Sequence, residues 1–262
     1  MKQDERAPFD QALQRARVLA YAPGEFVEQE NFMLASEIRA LAVEAGIGPG
    51  VSVLDLCCGV AGPGRYVTRE LGCTYLGVDF SDSAIEIARS RADGLDCRFE
   101  VGMVPPLPDG RFDVIMLLET MLAFPDKEPL LRGIAQALTT GGRFAFTLEE
   151  GPPLTAAECE LMPDADTVWL TPLTEILELV ERAGMKVRWQ DECSESHLAM
   201  VNSLIVAFEA DADAITAQIG SQALDELVAA HQLWSAWLRS GRVRKFAFVA
   251  EQRGPAEGAP GV

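Results

Sequence analysis

The sequence predicts an α/β fold: a mostly parallel, seven-stranded sheet with helices on both faces and a helical insertion between the last two strands. Three observations predict it. Short β-branched runs alternate with longer stretches of helical period, the pattern of a parallel sheet covered by crossover helices. Residues 112–118 are apolar nearly throughout, as a strand buried on both faces must be. Residues 194–241 separate the last two strands, which is too much chain for a hairpin loop.

Taken in order, residues 9–19 and 25–45 read as two helices ahead of the sheet. In the second, Leu34, Ile38, Leu41 and Ala42 share one stripe before Gly46 stops it. Strand one covers 51–56 and leads through a glycine turn into a helix ending at Leu71. Strand two covers 74–78, and the next helix starts at Ser81 or Asp82, both good N-caps. Strands three and four cover 97–101 and 112–118. A helix over 128–138 ends at Gly141-Gly142, and strand five covers 143–148. Residues 172–183 form a helix stopped at Gly184, and 185–192 and 243–250 are the last strands.

The insertion divides into two helical patterns, one from Leu198 to Phe208 and one from Leu224 to Leu238. By domain, residues 1–45 form an N-terminal helical cap. Residues 46–193 and 242–252 form the sheet domain, 194–241 a helical insertion or lid, and 253–262 a disordered tail.

Composition narrows the function classes. A formal net charge of −18 repels polyanions and argues against a nucleic-acid partner. No apolar stretch reaches membrane-spanning length, and the charged start lacks the apolar core of a secretory signal. Six cysteines without C-x-x-C spacing suit reduced thiols in the cytoplasm and offer no metal site.

The most informative segment ends strand one: Val53-Leu54-Asp55-Leu56-Cys57-Cys58-Gly59-Val60-Ala61-Gly62-Pro63-Gly64. Glycines there let the backbone approach a ligand, and the free N–H groups of the following helix favour an anion. Asp79 stands at the end of strand two, where a carboxylate can accept from two ribose hydroxyls. The glycine order is G-x-x-G-x-G, whereas the dinucleotide fingerprint reads G-x-G-x-x-G. A nicotinamide oxidoreductase is therefore disfavoured.

This turn, together with Gly77-Val78-Asp79-Phe80-Ser81, resembles the class I S-adenosylmethionine-dependent methyltransferases, which have a Rossmann-like fold. The likeness is to the small-molecule branch around ubiquinone/menaquinone, sarcosine and sugar methyltransferases. The resemblance implies S-adenosylmethionine as cofactor and transfer of a methyl group to O, N or C of a small metabolite. It implies that Asp55, Gly59, Gly62 and Gly64 shape the site for the methionine part, and that Asp79, with Phe80 beside it, serves the ribose. After strand three the family carries Gly-Asp, but this chain has Gly102-Met103. Met103 can pack on a purine yet supplies no carboxylate. In related enzymes an N-terminal segment folds over the cofactor, which brings Tyr21 and Gln29 forward.

Chemistry in an open α/β sheet lies beyond the carboxyl ends of the strands. Glu119 directly follows strand four, and Glu149 and Glu150 follow strand five. A carboxylate there can act as a base or anchor a cation. His197 and His231, both in the insertion, are the chain's two imidazoles. His231 lies on an apolar stripe, where a core role is the ordinary outcome. Two alternatives stay open: a cofactor-binding protein without transfer, and a methyltransferase for a prenyl diphosphate. The latter would need Arg242, Arg244 and Lys245 in the cleft. A homodimer is also left open.

Overall fold

The computed structural model describes residues 11–163 and 165–254. In chain order the elements are α1 (Gln11–Ala20), α2 (Ala35–Glu44), β1 (Ser52–Leu56), α3 (Gly62–Leu71), β2 (Thr74–Asp79), α4 (Asp82–Ser90), β3 (Cys97–Val101) and β4 (Phe112–Leu117). There follow α5 (Lys127–Ala137), β5 (Leu138–Glu150), α6 (Ala156–Leu161), α7 (Leu173–Arg182) and β6 (Met185–Glu192). Last come α8 (Ser194–Ala210), α9 (Ala212–Ile219), α10 (Ser221–Ser240) and β7 (Arg244–Gln252). Among the described residues no helix is long and apolar enough to cross a membrane.

The strands order as β3-β2-β1-β4-β5-β7-β6. All neighbours are parallel except β7, which runs antiparallel to both β5 and β6. β1 and β4 lie side by side while the chain winds outward from them in opposite directions. That reversal opens a crevice at their carboxyl ends.

Apolar strand faces bury on both sides. On one, Phe144, Phe146 and Phe248 stack with centroids 4.5 and 5.0 Å apart, beneath Leu130, Ile134 and Ile176 of α5 and α7. On the other, Val53, Val114 and Ala145 pack under Ile38, Val67 and Ile85 of α2, α3 and α4. A third cluster joins the insertion to the N-terminal helix, with Ala12, Ala16 and Tyr21 against Met200, Leu204, Phe208 and Ile215.

Three expectations need correction or extension. Residues 25–34 are not helical; the helix is confined to Ala35–Glu44. Side chains in that stretch satisfy its backbone locally, which competes with helix formation. Gln29 Oε1 accepts from Val27 N, and its Nε2 donates to the carbonyls of Glu25 and Met33. Asn31 Oδ1 accepts from Met33 N. The helix begins only where Glu37 accepts from the Leu34 amide.

The insertion holds three helices, because Asp211 caps both the end of α8 and the start of α9, and Gly220 at φ +87° separates α9 from α10. Strand five starts earlier than its apolar core, at Leu138, with a register irregularity between the Phe112 and Val114 pairings. The short α6 has a capping box in which Thr155 and Glu158 bond reciprocally, a sequence signal that passed unread. Phe9, and residues 255–262 of the expected tail, lie outside the described residues.

Candidate active site

The turn after β1 has an unusual backbone. Cys57, Gly59 and Ala61 take φ of +58°, +54° and +55°, the left-handed region that non-glycine residues enter at a cost. The outcome is a tight reversal ending at the first turn of α3. Asp79 holds it: one carboxylate oxygen accepts from Gly59 N and the other from Ser81 N, each at 2.9 Å. Each oxygen keeps a lone pair for a further donor.

Each glycine has a separate reason. A Cβ on Gly59 would meet nothing nearer than Glu30 Oε2 at 3.9 Å, so this position faces open space. At Gly62 a Cβ would lie 2.3 Å from the carbonyl oxygen of Val27 and 2.5 Å from that of Glu28. The irregular segment 25–34 therefore lies as a strap directly against the start of α3. Arg65 of α3 clamps it through Glu28, at 2.5 Å. Gly64 is different again: its Cβ would fall 2.1 Å from the Tyr75 ring. It fits α3 onto β2 and does not line the cavity.

The Tyr75 hydroxyl donates to Asp55 Oδ2 at 2.6 Å, and both groups are buried. Burial pushes the Asp55 carboxyl up to about 7, opposed by the Tyr75 hydrogen bond and assisted by the charge of Asp79. Burial likewise raises the Cys57 thiol to about 12, which removes it as a nucleophile at neutral pH.

A cavity of about 580 Å³ extends from this turn to the ends of β4, β5 and β7. Asp55, Gly59, Gly62, Asp79, Phe80 and Met103 line one end. Phe80 and Met103 are well exposed there, at 58% and 68%. Glu119, Glu149 and His197 line the other end, joined by Lys245. Gln29 also faces the cavity, but its amide is spent on the strap.

Tyr21 does not reach it. Its hydroxyl donates to the Asn31 carbonyl at 2.6 Å and its ring packs on Phe26, so it supports the strap from behind. His231 is also outside. Its Nδ1 lies 2.7 Å from the Leu227 carbonyl, and burial draws its pKa down to about 4.

At the far end Glu119 is held in the left-handed region, φ +57°. Its amide donates to Thr147 Oγ1 at 2.6 Å, and its Oε2 accepts from Phe32 N of the strap at 3.1 Å. Its Oε1 lies 2.5 Å from Lys245 Nζ and 3.3 Å from His197 Nε2. Lys245 also donates to Glu149 Oε1. Burial raises the Glu119 pKa, but His197 and Lys245 outweigh it and hold the carboxyl below its ordinary range. For Lys245 burial acts downward, and Glu119 and Glu149 overcome it, so the ammonium is held above its usual value.

Among the described residues, Glu149 Oε2 and His197 Nδ1 are buried without a hydrogen-bond partner, and His197 Nε2 has only the contact with Glu119. Glu119, Glu149 and His197 each offer one possible metal-ligand atom, all within 4.8 Å of one another. Any ion seated there would face the Lys245 ammonium.

Lys245 is the residue whose partners the sequence did not reveal. The sequence named it only beside Arg242 and Arg244, as a cation that a prenyl diphosphate acceptor would need in the cleft. The antiparallel register instead puts Glu149 opposite Lys245 and Glu150 opposite Arg244. One pair faces the cavity. The other faces out, with Arg244 Nε 2.8 Å from Glu150 Oε2. Arg242 pairs with Glu158 at 2.5 Å. None of the three cations is left unpaired for a diphosphate. Glu149-Glu150 and Arg244-Lys245 at facing strand ends were the available signal.

Residues 53–142 match the family model described as a methyltransferase domain. The methyltransferase GfsG of Streptomyces halstedii is 34% identical over 106 residues, 38% of this chain and 38% of that protein. The sarcosine/dimethylglycine N-methyltransferase of Halorhodospira halochloris is 31% identical over 127 residues, 46% of this chain and 44% of that protein. The chain thus matches less than half the length of either relative. The cyclopropane synthase MmaA2 from Mycobacterium tuberculosis shares the fold at a TM-score of 0.79 and 14% identity, over 93% of this chain and 95% of that one. The matched segment, from β1 into β5, is thus similar to a methyltransferase domain, and the fold is shared with solved structures of that kind.

Proposed function

We propose that the protein transfers a methyl group from S-adenosylmethionine to a small-molecule acceptor. A single observation carries this reading: one cavity joins the Asp79-braced turn to a cluster of buried ionisable groups at the ends of β4, β5 and β7. The residues fit the cofactor. Gly59 faces open space at the turn, and Asp79 retains acceptor capacity for a ribose diol. Asp55 and the turn would receive the methionine part, and Phe80 and Met103 would flank the adenine. When bound, the cofactor supplies a methyl group on a cationic sulfur.

The chain's own residues hold the other reactant. Glu119, fixed by Thr147, Phe32 and Lys245, sets the position of His197 at the cavity floor. The reading makes the protein a cytoplasmic enzyme of small-molecule biosynthesis, and the net charge of −18 argues against a nucleic-acid partner. A homodimer is left open.

Calorimetric titration tests it. S-adenosylhomocysteine, the demethylated cofactor, is expected to bind the purified protein, and NADH is not. Asp79→Ala should weaken that binding at least tenfold, since a charged acceptor's hydrogen bond contributes about 1.5–3 kcal/mol. An absence of binding by S-adenosylhomocysteine overturns the proposal.

A further inference from the structure

The cluster at the cavity floor is unbalanced. Two carboxylates, Glu119 and Glu149, share one ammonium, Lys245, and only Glu119 has a second basic group beside it, the His197 ring at 3.3 Å. The side chains are nearly sealed from solvent: Lys245 is 0% exposed, His197 3% and Glu149 5%. A buried charge of that kind is costly unless something compensates it. Glu149 Oε2 and His197 Nδ1 also lack partners, and His197 Nε2 has only Glu119 beside it. The floor therefore presents one unsatisfied anionic acceptor and one unsatisfied imidazole, both lining the same cavity. Apolar and aromatic side chains surround them, including Phe32, Leu122, Phe124, Trp234 and Val243.

On the basis of the methyltransferase reading, we propose that the acceptor is a primary or secondary amine on an apolar body. It enters as an ammonium, donating one N–H to Glu149 Oε2 and losing a proton to His197. The complementarity is specific to this class. An ammonium brings a positive charge to two carboxylates that share one lysine, together with several donors, and Trp234 is an aromatic lining residue of the same cavity. A hydroxyl acceptor would have to develop negative charge beside two carboxylates, with Lys245 already committed to both.

The proton and charge balance is direct. His197 takes one proton from R–NH3+, leaving R–NH2 and an imidazolium beside Glu119. The nitrogen lone pair forms the C–N bond as the C–S bond of the sulfonium donor breaks, its electron pair remaining on sulfur. One positive charge passes from sulfur to nitrogen, and the floor carboxylates face the nitrogen that gains it. Both Glu149 and His197 touch substrate in this scheme, and Glu119 and Lys245 are positioning residues.

The test is a binding comparison on the intact protein saturated with S-adenosylhomocysteine. Butylamine, phenethylamine and tryptamine are titrated against the alcohols that carry OH in place of NH2. At least one amine is expected to bind ten or more times tighter than its alcohol. Glu149→Gln should bring that ratio to within twofold of one, with affinity for S-adenosylhomocysteine kept. Should the variant fail to fold, the wild-type ratio decides alone. If no amine outbinds its alcohol, or nothing in the series binds, the amine assignment is overturned and the methyltransferase reading stands. If S-adenosylhomocysteine itself does not bind, both fall.

Discussion

Lys245 Nζ stands 2.5 Å from Glu119 Oε1 at a point where the lysine has no exposure to solvent. One residue begins β7 and the other follows β4, and β5 lies between those strands in the sheet. Their ion pair, with Glu149 as third member, ties the ends of three elements together. Removing one member of a buried ion cluster costs more than the cluster is worth intact, because the survivors are left uncompensated.

Lys245→Met is therefore expected to lower stability by about 3–5 kcal/mol at pH 7, read by urea denaturation. The sign with pH follows from Glu119, whose folded pKa is depressed. Its contribution is present above the unfolded carboxylate value and is lost as pH falls through the folded one. The gap between wild type and variant should thus be widest near neutrality and narrow below about pH 4. Pairing the change with Glu149→Gln should recover part of the loss. A variant as stable as wild type at pH 7 contradicts the cluster's structural role.

Asp55 gives the opposite sign. Its folded pKa, about 7, lies above its unfolded value, so the folded state prefers the protonated form. That preference favours folding at low pH, and it is lost as pH rises towards 7. Asp55→Asn keeps an acceptor for the Tyr75 hydroxyl and removes the charge. It should melt higher than wild type at pH 8 and show little gain at pH 4. Differential scanning fluorimetry across that range checks it, and a gain that is uniform with pH counts against the assignment.

The strap makes a steric prediction. Gly62→Ala puts a methyl 2.3 Å from the Val27 carbonyl oxygen, and backbone must move. A destabilisation of about 1–3 kcal/mol is expected from overpacking, with weakened S-adenosylhomocysteine binding. Gly59→Ala meets no such obstacle and should cost only its left-handed φ, about 1–2 kcal/mol. Equal cofactor affinity in Gly62→Ala and wild type would show that the strap does not shape the site.

Met103 offers a gain-of-function test. It is 68% exposed at the cavity's cofactor end and provides no charged acceptor. Met103→Asp restores the carboxylate found after strand three in the resembled family. It should tighten S-adenosylhomocysteine binding about tenfold, one charge-assisted hydrogen bond's worth, with stability changed by less than about 0.5 kcal/mol. Unchanged affinity places adenine recognition elsewhere.

How far the sequence could be read depended on the range of the interactions. The turn at residues 57–64 and Asp79 were legible because the signals are local: glycines where backbones crowd, and a carboxylate at a strand end. Glu119 and Glu149 followed from the rule that open sheets act at their carboxyl edge. The strap was read as helix because Leu34 and Ile38 fit the stripe that continues in α2, while Gln29 and Asn31 decide otherwise through bonds to their own backbone. The pairing of Lys245 with Glu119 and Glu149 was not legible because it depends on β7's register against β5, which no local pattern reports. Gly64 was assigned to the cofactor turn, yet the ring it accommodates belongs to Tyr75 on β2.

The segment 25–34 touches both ends of the cavity: its carbonyls rest on Gly62, and its Phe32 amide is bonded to Glu119. A displacement of that segment large enough to admit one reactant also releases the hold on the carboxylate that positions His197 for the other. The two ends of the cavity are thus held by one irregular segment, so a backbone shift forced at Gly62 is carried to the carboxylate beside His197.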